Sequence, residues 1–246
     1  MYKAIVFDLY GTLLDIHTDE NQEQLWDKMA FLYATQGATY SPDELKSAYI
    51  ERVEHYMEKK RAKGEAYPEI DILKVFKALY SDKGVKAGKR TVNEAAKFFR
   101  VLSLDYVRPY PGAVELLELL KESGVQVILL SNAQEAFTMT ELEVTGIRKY
   151  FDGIYLSSQY KVAKPSKVFF EIMLRTELLT PDMCLFIGND HTTDIEGANR
   201  MGMESIYIHT NCSPRVLPHS LDVKLRIDSG DIFELIEWFQ KESIDK

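Results

Sequence analysis

Three short apolar runs of this chain are each followed at once by residues that can do chemistry. The runs span residues 4–7, 125–130 and 184–187, and the residues after them are Asp8, the pair Ser131-Asn132, and the stretch 188–190. A carboxylate at the end of a strand can attack an electrophilic centre and form a covalent ester or acyl phosphate. Hydroxyl and N–H groups can hold the oxygens of a phosphate or carboxylate group. These residue types are suited to covalent catalysis by a carboxylate.

The elements that must position these residues are strands that alternate with helices. The apolar runs are typical of strands buried on both faces, and a fourth run spans residues 205–208. Helical patterns lie between and after the runs, at residues 113–123, 167–178, 194–201 and 231–241. This alternation predicts βαβ units with right-handed crossovers, and therefore an α/β fold with a doubly wound parallel sheet. In such sheets the site lies beyond the carboxyl ends of the strands, which is where the polar residues fall.

Residues from about 16 to 107 follow a different pattern, with helical stretches and no clear buried strand. The stretches span residues 21–36, 42–61, 69–83 and 90–102. Ser41 as a capping residue and Pro42 in the first turn mark the start of the second stretch. We therefore expect a helical domain inserted after the first strand.

The composition excludes several classes of protein. The 246 residues carry 30 Lys and Arg against 38 Asp and Glu, a formal net charge of −8. This balance argues against a nucleic-acid partner, because binding to a phosphate backbone needs a basic face. No apolar run approaches the ~20 residues of a membrane span, and an acidic residue interrupts the N-terminal run where a signal peptide would stay apolar. Two cysteines, Cys184 and Cys212, fit free thiols in a reducing cytosol. We expect a cytoplasmic protein without a membrane partner.

The loop around Asp8 resembles a known family signature. The residues Asp8-Leu9-Tyr10-Gly11-Thr12-Leu13-Leu14-Asp15 are similar to the signature loop of the haloacid dehalogenase-like (HAD) hydrolase superfamily. Three further elements follow in the family's order, namely Ser131-Asn132, Lys164-Pro165, and Gly188-Asn189-Asp190-His191-Thr192-Thr193-Asp194. The resemblance implies a Rossmann-like core formed by residues 1–15 and 108–246. It also implies an α-helical cap domain formed by residues 16–107.

The resemblance implies that Asp8 is the nucleophile and that a lysine balances its charge. Lys164 is implied to neutralise charge on the nucleophile and on the transition state. Lys161 lies three residues earlier and is a rival. The family's lysine usually precedes a proline, which favours Lys164.

Other motif residues are implied to contact the substrate. The hydroxyls of Thr12 and Ser131 and the main-chain N–H of Asn132 are implied to hold its oxygens. Tyr10 and Gly11, in the loop after the nucleophile, are implied to lie beside the substrate.

The resemblance also indicates a bound Mg²⁺. This ion prefers near-octahedral oxygen coordination by few carboxylates plus waters. Asp8 and the main-chain carbonyl of Tyr10 are expected as ligands, with either Asn189 or Asp190 beside them. Asp194 is then a direct or water-mediated partner, or it caps the helix that it begins, and both roles can coexist.

Tyr10 bears on the subclass of the family. In the family's phosphatases the residue two after the nucleophile is a second aspartate, which acts as general acid and base. Tyrosine, with an ordinary pKa of about 10, is a poor substitute at neutral pH. It is characteristic of the 2-haloacid dehalogenases, whose halide leaving group needs no proton. Those enzymes also carry a tyrosine where this chain has Phe170, a serine-rich stretch where it has Asn189 and His191, and a cap arginine, for which Arg52 is the nearest candidate.

Three hypotheses about function follow. The acids of the fourth motif favour Mg²⁺-dependent hydrolysis of a small phosphorylated metabolite, with a phosphate ester as the substrate. The alternative is a metal-independent 2-haloacid dehalogenase. The third is a catalytically weak member of the family that binds a metabolite or a partner protein as a regulator.

Overall fold

The computed structural model describes residues 2–216 and 218–244. Within them the strands are β1 (Ala4–Phe7), β2 (Leu14–Thr18), β3 (Leu104–Pro109), β4 (Gln126–Ser131), β5 (Gly153–Leu156), β6 (Cys184–Gly188), β7 (Glu204–Ile208) and β8 (Leu225–Ile227). The α-helices are α1 (Glu23–Thr35), α2 (Pro42–Arg61), α3 (Ile72–Asp82), α4 (Lys89–Ser103), α5 (Ala113–Glu122), α6 (Glu135–Val144), α7 (Ser157–Tyr160), α8 (Lys167–Thr176), α9 (Glu196–Met201) and α10 (Ile232–Ile244).

Six strands form one parallel sheet, in the order β5-β4-β1-β6-β7-β8. The chain winds outwards from β1 through β4 and β5, and then returns to β6 on the other side of β1. This is the order of a doubly wound sheet, so the predicted fold class is confirmed. The winding reverses between β1 and β6, and a crevice opens at their carboxyl ends.

Strand β1 is apolar because helices cover both faces of the sheet. Its four residues are all buried, and successive side chains point to opposite faces. Ile5 and Phe7 belong to the apolar cluster that includes α5 and α10, whereas Ala4 and Val6 belong to the cluster that includes α8. Polar chemistry in the sheet is therefore placed at the strand ends.

Helices α1 to α4 have an apolar cluster of their own, and their bounds agree with the four predicted helical stretches. We call residues 16–107 the helical insert. Trp26, Tyr49, Phe76 and Phe99 form its centre, with ring centroids 5.1 to 5.9 Å apart. Phe137 of α6 joins this cluster, so α6 is a helix of the sheet domain against which the insert packs.

Residues 16–107 contain no buried strand, as expected, but two half-buried or exposed strands extend into the ends of that range. Strands β2 and β3 pair in antiparallel fashion where the chain enters and leaves the helical insert. Asp15 of β2 accepts hydrogen bonds from the guanidinium of Arg108 on β3, at 2.9 and 3.1 Å. No residue of β3 is buried, so the apolar run that marks a core strand is missing from its sequence.

The cysteines are free thiols, as predicted. Cys184 is buried in β6 and Cys212 is exposed. Burial raises the pKa of the Cys184 thiol to about 11. In the part of the chain that the structure describes, no helix combines the length and the apolar character needed to cross a membrane.

Candidate active site

Asp8 follows β1 and lies at the crevice between β1 and β6. Its N–H donates to the carbonyl of Ile187 at 3.0 Å. Its carboxylate oxygen Oδ1 accepts two hydrogen bonds, from Ser131 Oγ at 2.9 Å and from Lys164 Nζ at 2.6 Å. Among the described residues nothing donates to the second oxygen, Oδ2. One oxygen of the carboxylate is thus held, and the other is open to an electrophile.

Lys164 lies between two carboxylates and is almost fully buried. Its Nζ is 2.6 Å from Asp8 Oδ1 and 2.7 Å from Asp194 Oδ1. Burial alone would lower the pKa of Lys164, but the two carboxylates outweigh burial and the pKa lies above its ordinary value. Burial raises the pKa of Asp194 to about 7, and the charge of Asp8 adds to the rise while Lys164 opposes it. Lys164 therefore stays charged, and Asp194 is the carboxylate whose charge this site disfavours.

Asn132 uses its side chain to hold the main chain of Lys164. Its Oδ1 accepts from the Lys164 N–H at 2.8 Å, and its Nδ2 donates to the Lys164 carbonyl at 3.2 Å. Sequence reasoning did not find this role, and the contact of the Asn132 N–H with substrate stays a prediction. The rival Lys161 is exposed, and its carbonyl accepts from Lys60 of the helical insert at 2.9 Å. Lys164 is the lysine at Asp8, as expected.

Thr12 and Asn189 join the loop after β1 to the end of β6. The Thr12 hydroxyl donates to Asn189 Oδ1 at 3.1 Å. Gly11 lies against the same amide with φ +85°, and a Cβ at this position would stand 2.2 Å from Asn189 Nδ2. Both the backbone conformation and the close approach require glycine. Gly11 thus allows Asn189 to reach the loop of Asp8.

Asp190 directs its carboxylate elsewhere. Its Oδ1 accepts from the N–H and the hydroxyl of Thr192, at 2.8 and 2.7 Å, and caps the π-helical turn His191–Ile195. Asp194 accepts the Asp190 N–H on Oδ2 at 3.0 Å. Oδ1 of Asp190 is thus engaged in this cap, and the expected role of Asp190 as a metal ligand stays a prediction. Of the two candidates, Asn189 is the one that faces the loop of Asp8.

The oxygen donors beside Asp8 fit a weakly held Mg²⁺. Within residues 2–216 and 218–244 no group of three His, Cys, Asp or Glu side chains is arranged to hold a metal ion. Both oxygens of Asp194 accept hydrogen bonds, from Lys164 and from the Asp190 N–H. The candidate ligands are therefore Asp8 Oδ2, which accepts none among the described residues, and the amide oxygen of Asn189, which accepts one from Thr12. Mg²⁺ binds through one or two carboxylates and completes its shell with waters and substrate phosphates. The site offers one carboxylate and one uncharged amide, which is the smaller number of carboxylates in that range.

Helix α6 engages the Tyr10 hydroxyl. This hydroxyl donates to Glu141 Oε2 and lies 2.9 Å from Thr138 Oγ1. Burial raises the pKa of Tyr10, and the Glu141 carboxylate raises it further. The hydroxyl is thus a poor acid, as expected, and the contact of Tyr10 with substrate stays a prediction. The Tyr10 carbonyl as a metal ligand stays a prediction.

The sequence did not indicate a role for Glu141, nor for Arg100, which is its second hydrogen-bond partner after Tyr10. Glu141 Oε1 accepts from Arg100 Nε at 2.5 Å, which ties α6 to α4 of the helical insert. One signal was available, because Glu141 follows Phe137 by four residues and so shares the buried face of α6. An acidic residue on such a face implies a partner, but not which one.

The segment after β7 supports the other side of the loop. The Thr210 hydroxyl donates to the Gly11 carbonyl at 2.7 Å. Ser213 Oγ accepts from Asn189 Nδ2 at 3.4 Å and from the Thr210 N–H at 2.9 Å. These polar residues follow the apolar run at residues 205–208, but they belong to none of the four motifs.

Three residues that bear on the dehalogenase alternative lie in three different environments. Phe170 is fully buried against Phe186 beneath the sheet, with ring centroids 5.6 Å apart. Arg52 pairs with Asp82 within the helical insert. His191 has a buried Nδ1 that finds no hydrogen-bond partner among the described residues.

Comparisons with known proteins give the same family as the motifs. A family model described as haloacid dehalogenase-like hydrolase matches residues 2–202. The chain is 25% identical over 209 residues to a glyceraldehyde 3-phosphate phosphatase of Methanopyrus kandleri, across 85% of this chain and 84% of that protein. It is 24% identical over 213 residues to (S)-2-haloacid dehalogenase 4A of Burkholderia cepacia, across 86% of this chain and 85% of that protein. Some other curated relatives match over only about half of their own length.

The likeness to solved structures extends over nearly the whole fold. A HAD phosphatase from Thermococcus onnurineus has a TM-score of 0.59 to this chain at 19% identity, across 96% of this chain and 97% of that one. The family model spans most of the chain, from the first strand of the sheet to the helix after the fourth motif. The protein therefore belongs to the haloacid dehalogenase-like hydrolases.

Proposed function

We propose that this hydrolase cleaves a phosphate ester of a small metabolite through a covalent intermediate on Asp8. The observation that carries the proposal is the Asp8 carboxylate, with Oδ1 held by Lys164 and Ser131 and Oδ2 open. A carboxylate held at one oxygen keeps a fixed direction of attack for the other. The phosphatase among the relatives supports a phosphate ester as the substrate class.

The reaction takes two displacements. In the first, Asp8 Oδ2 bonds to phosphorus while the bond between phosphorus and the ester oxygen breaks, and the leaving alcohol takes a proton from water. In the second, water attacks the phosphorus of the acyl phosphate, which releases inorganic phosphate and restores the carboxylate. Lys164 offsets the negative charge that gathers around Asp8. The hydroxyls of Thr12 and Ser131 donate to Asn189 and Asp8 in this structure, and we propose that they turn to the incoming phosphate oxygens when substrate binds.

Asp8 and Asn189 are the residues that would hold Mg²⁺, together with the main-chain carbonyl of Tyr10. The ion supplies positive charge to the phosphate oxygens when it is bound. Waters and the substrate phosphate would supply the remaining ligands.

The place of Tyr10 limits the substrate class further. Its hydroxyl is engaged by Glu141 and its pKa is raised, so no acid stands two residues after the nucleophile. The leaving group must then depart without a proton from this position. We propose that the preferred substrates carry good leaving groups, such as acyl, enol or aryl phosphates.

The same observation favours one second candidate, the hydrolytic removal of halide from a 2-halo acid. A halide leaves without a proton, and one relative is named as a haloacid dehalogenase. In that reaction Asp8 Oδ2 would displace the halide at carbon, and no metal is required. The phosphatase proposal is preferred because Phe170, Asn189 and His191 depart from the dehalogenase pattern.

We propose that the helical insert is the cap over this site. Asp8 is 7% exposed and Lys164 is 3% exposed, so the site must open for a substrate, and movement of the insert is the opening that we propose. The insert contacts the strand ends through Glu69, which accepts hydrogen bonds from the Ser157 hydroxyl and from Gln134 Nε2. Closure over a bound substrate would exclude water and select the substrate.

The proposed partner is a small molecule, and the proposed location is the cytoplasm. The net charge of −8 disfavours a nucleic-acid partner. The free thiols of Cys184 and Cys212 agree with a reducing compartment.

The test is phosphate release from a panel of acyl, aryl and sugar phosphates in the presence of Mg²⁺, with Asp8→Asn as the control. The proposal expects turnover that EDTA and Asp8→Asn both abolish. Chelator-resistant halide release from 2-chloropropionate would establish the second candidate instead. Ligand binding with turnover at background across the panel would overturn hydrolysis and indicate a metabolite-binding regulator.

A further inference from the structure

A buried carboxylate joins the nucleophile loop to the helical insert. Glu141 is 3% exposed and lies on α6 of the sheet domain. Its Oε2 accepts from the hydroxyl of Tyr10, and its Oε1 accepts from Arg100 Nε at 2.5 Å. Tyr10 stands two residues after Asp8, whereas Arg100 lies on α4. One side chain thus bonds two parts of the molecule that the proposed cap movement would separate.

Glu141 needs both partners because it is buried. A buried charge is tolerated only when it is paired and hydrogen-bonded. The side chain of Glu141 is 4% exposed and that of Arg100 is 16% exposed, so water is a poor replacement for the guanidinium. Departure of α4 therefore leaves Glu141 with an unbalanced charge next to Tyr10.

An aromatic contact brings Arg100 to this position. Phe99 of α4 stacks on Phe137 of α6 with ring centroids 6.4 Å apart, and the Arg100 guanidinium lies 5.2 Å from the Phe137 ring centroid. Phe137 and Glu141 are four residues apart on α6 and so lie on one face. That face receives the insert and also holds the Tyr10 hydroxyl.

The nucleophile loop is compact enough to respond to a change at Tyr10. The N–H groups of Leu13 and Leu14 both donate to the Leu9 carbonyl at 2.9 Å, and the Gly11 N–H donates to the Leu14 carbonyl at 2.8 Å. These bonds enclose Tyr10. A shift of Tyr10 therefore disturbs the loop, which begins at Asp8.

We propose that Glu141 is a positioning residue, which transmits the docking of α4 on α6 to the loop that carries Asp8. With α4 docked, Arg100 balances Glu141, Glu141 holds Tyr10, and the loop keeps the geometry described above. With α4 away, the loop loosens, so the nucleophile is ordered only under a closed insert. This inference rests on the proposed nucleophilic role of Asp8.

Amide hydrogen exchange measured by NMR tests the coupling without any substrate. The reporters are the loop amides of Gly11, Leu13 and Leu14. Arg100→Met is expected to speed their exchange about tenfold or more, the effect of losing one hydrogen bond to a charged group. Arg90→Met is the matched control, because Arg90 lies on the same helix with an exposed side chain and is expected to change nothing.

Tyr10→Phe tests whether the coupling runs through the hydroxyl. This variant alone is expected to speed hydrogen exchange at the same amides. The double variant Tyr10→Phe, Arg100→Met is expected to exchange no faster than Tyr10→Phe. The proposal is overturned if Arg100→Met loosens α4 and α6 but not the loop, or if the two effects multiply. Should Arg100→Met fail to fold, Glu141→Gln keeps the shape of the side chain and is expected to speed the loop amides similarly.

The separate effects on kcat and KM provide a further test. Glu141→Gln is expected to lower kcat about tenfold and to leave KM within about twofold, because a positioning role acts on the reacting geometry. A rise in KM at unchanged kcat would contradict the proposal. If no substrate turns over while the exchange coupling holds, the proposed function fails and the coupling stands.

Discussion

The ammonium of Lys164 donates to one oxygen of Asp8 at 2.6 Å and leaves the other oxygen free. The lysine thus has two roles at this carboxylate. It balances the charge of a buried carboxylate, and it sets which oxygen can attack.

Lys164→Met should damage both activity and stability. Loss of the cation should lower kcat by about 10²–10³. It should also lower the free energy of unfolding by about 3–5 kcal/mol, because two carboxylates then remain buried without a counter-charge. Urea denaturation and turnover on the best substrate measure the two effects. Lys161→Met is the control and should change neither, and equal effects of the two variants would contradict the assignment.

Asn189→Asp should strengthen Mg²⁺ binding. The substitution adds a second carboxylate beside Asp8, and each added carboxylate raises affinity for this ion. The Mg²⁺ concentration for half-maximal activity should fall at least about tenfold. The shift of melting temperature on addition of Mg²⁺ should grow as well, which gives a readout independent of turnover.

Asp190→Asn is the matched control for the magnesium prediction. Asparagine caps helices about as well as aspartate, so the fold should be kept. The Mg²⁺ dependence should stay as in the natural protein. A large loss of Mg²⁺ affinity in this variant would return Asp190 to the metal site.

The rate should depend steeply on the leaving group. Without an acid two residues after Asp8, the departing oxygen carries its charge into solvent, so aryl phosphates with acidic phenols should react fastest. A plot of log(kcat/KM) against the pKa of the phenol measures this slope. The double variant Tyr10→Asp, Glu141→Gln should flatten it, since it restores a carboxyl group and removes the charge beside it. A slope near zero for the natural protein would show that another acid protonates the leaving group.

The sequence was sufficient for the parts of the site that depend on local pattern. Asp8, Ser131 and Asn189 each follow an apolar run, and a parallel sheet brings such positions to one edge whatever the loops do. Lys164 was found because a proline follows it. The antiparallel pair β2 and β3 was missed because β3 buries no residue, so hydrophobic pattern carries no information about it.

Side-chain orientations and contacts between residues distant in the chain could not be predicted from the sequence. Asp190 and Asn189 are neighbours, and the hydrogen bonds that Thr192 donates to Asp190 give the two side chains different orientations. The partners of Tyr10 are even less accessible, because Glu141 and Arg100 come together only once α4 packs on α6. A buried acidic residue indicates that a partner exists, and the fold decides which one.

Stability should fall with rising pH because of Glu69. Burial raises the pKa of Glu69, although hydrogen bonds from Ser157, Gln134 and the Ile70 N–H oppose the rise. Above the ordinary pKa of glutamate the folded chain then binds more protons than the unfolded chain, so stability is lost as pH rises towards the folded value. Glu69→Gln removes this contribution, so its stability relative to the natural protein should improve with pH.

Urea denaturation at several pH values between about 4 and 8 measures this difference. Glu58→Gln is the control, because Glu58 is exposed on α2. A constant stability difference between Glu69→Gln and the natural protein across this range would contradict the prediction.

Asp8 should become covalently phosphorylated during turnover. Rapid acid quench before the steady state, followed by mass spectrometry of the peptide that contains Asp8, measures this. The peptide should gain the mass of one phosphoryl group, and Asp8→Asn should show neither the modification nor turnover. Full turnover with Asp8 unmodified at every time point, or a phosphoryl group on another residue, would contradict this prediction.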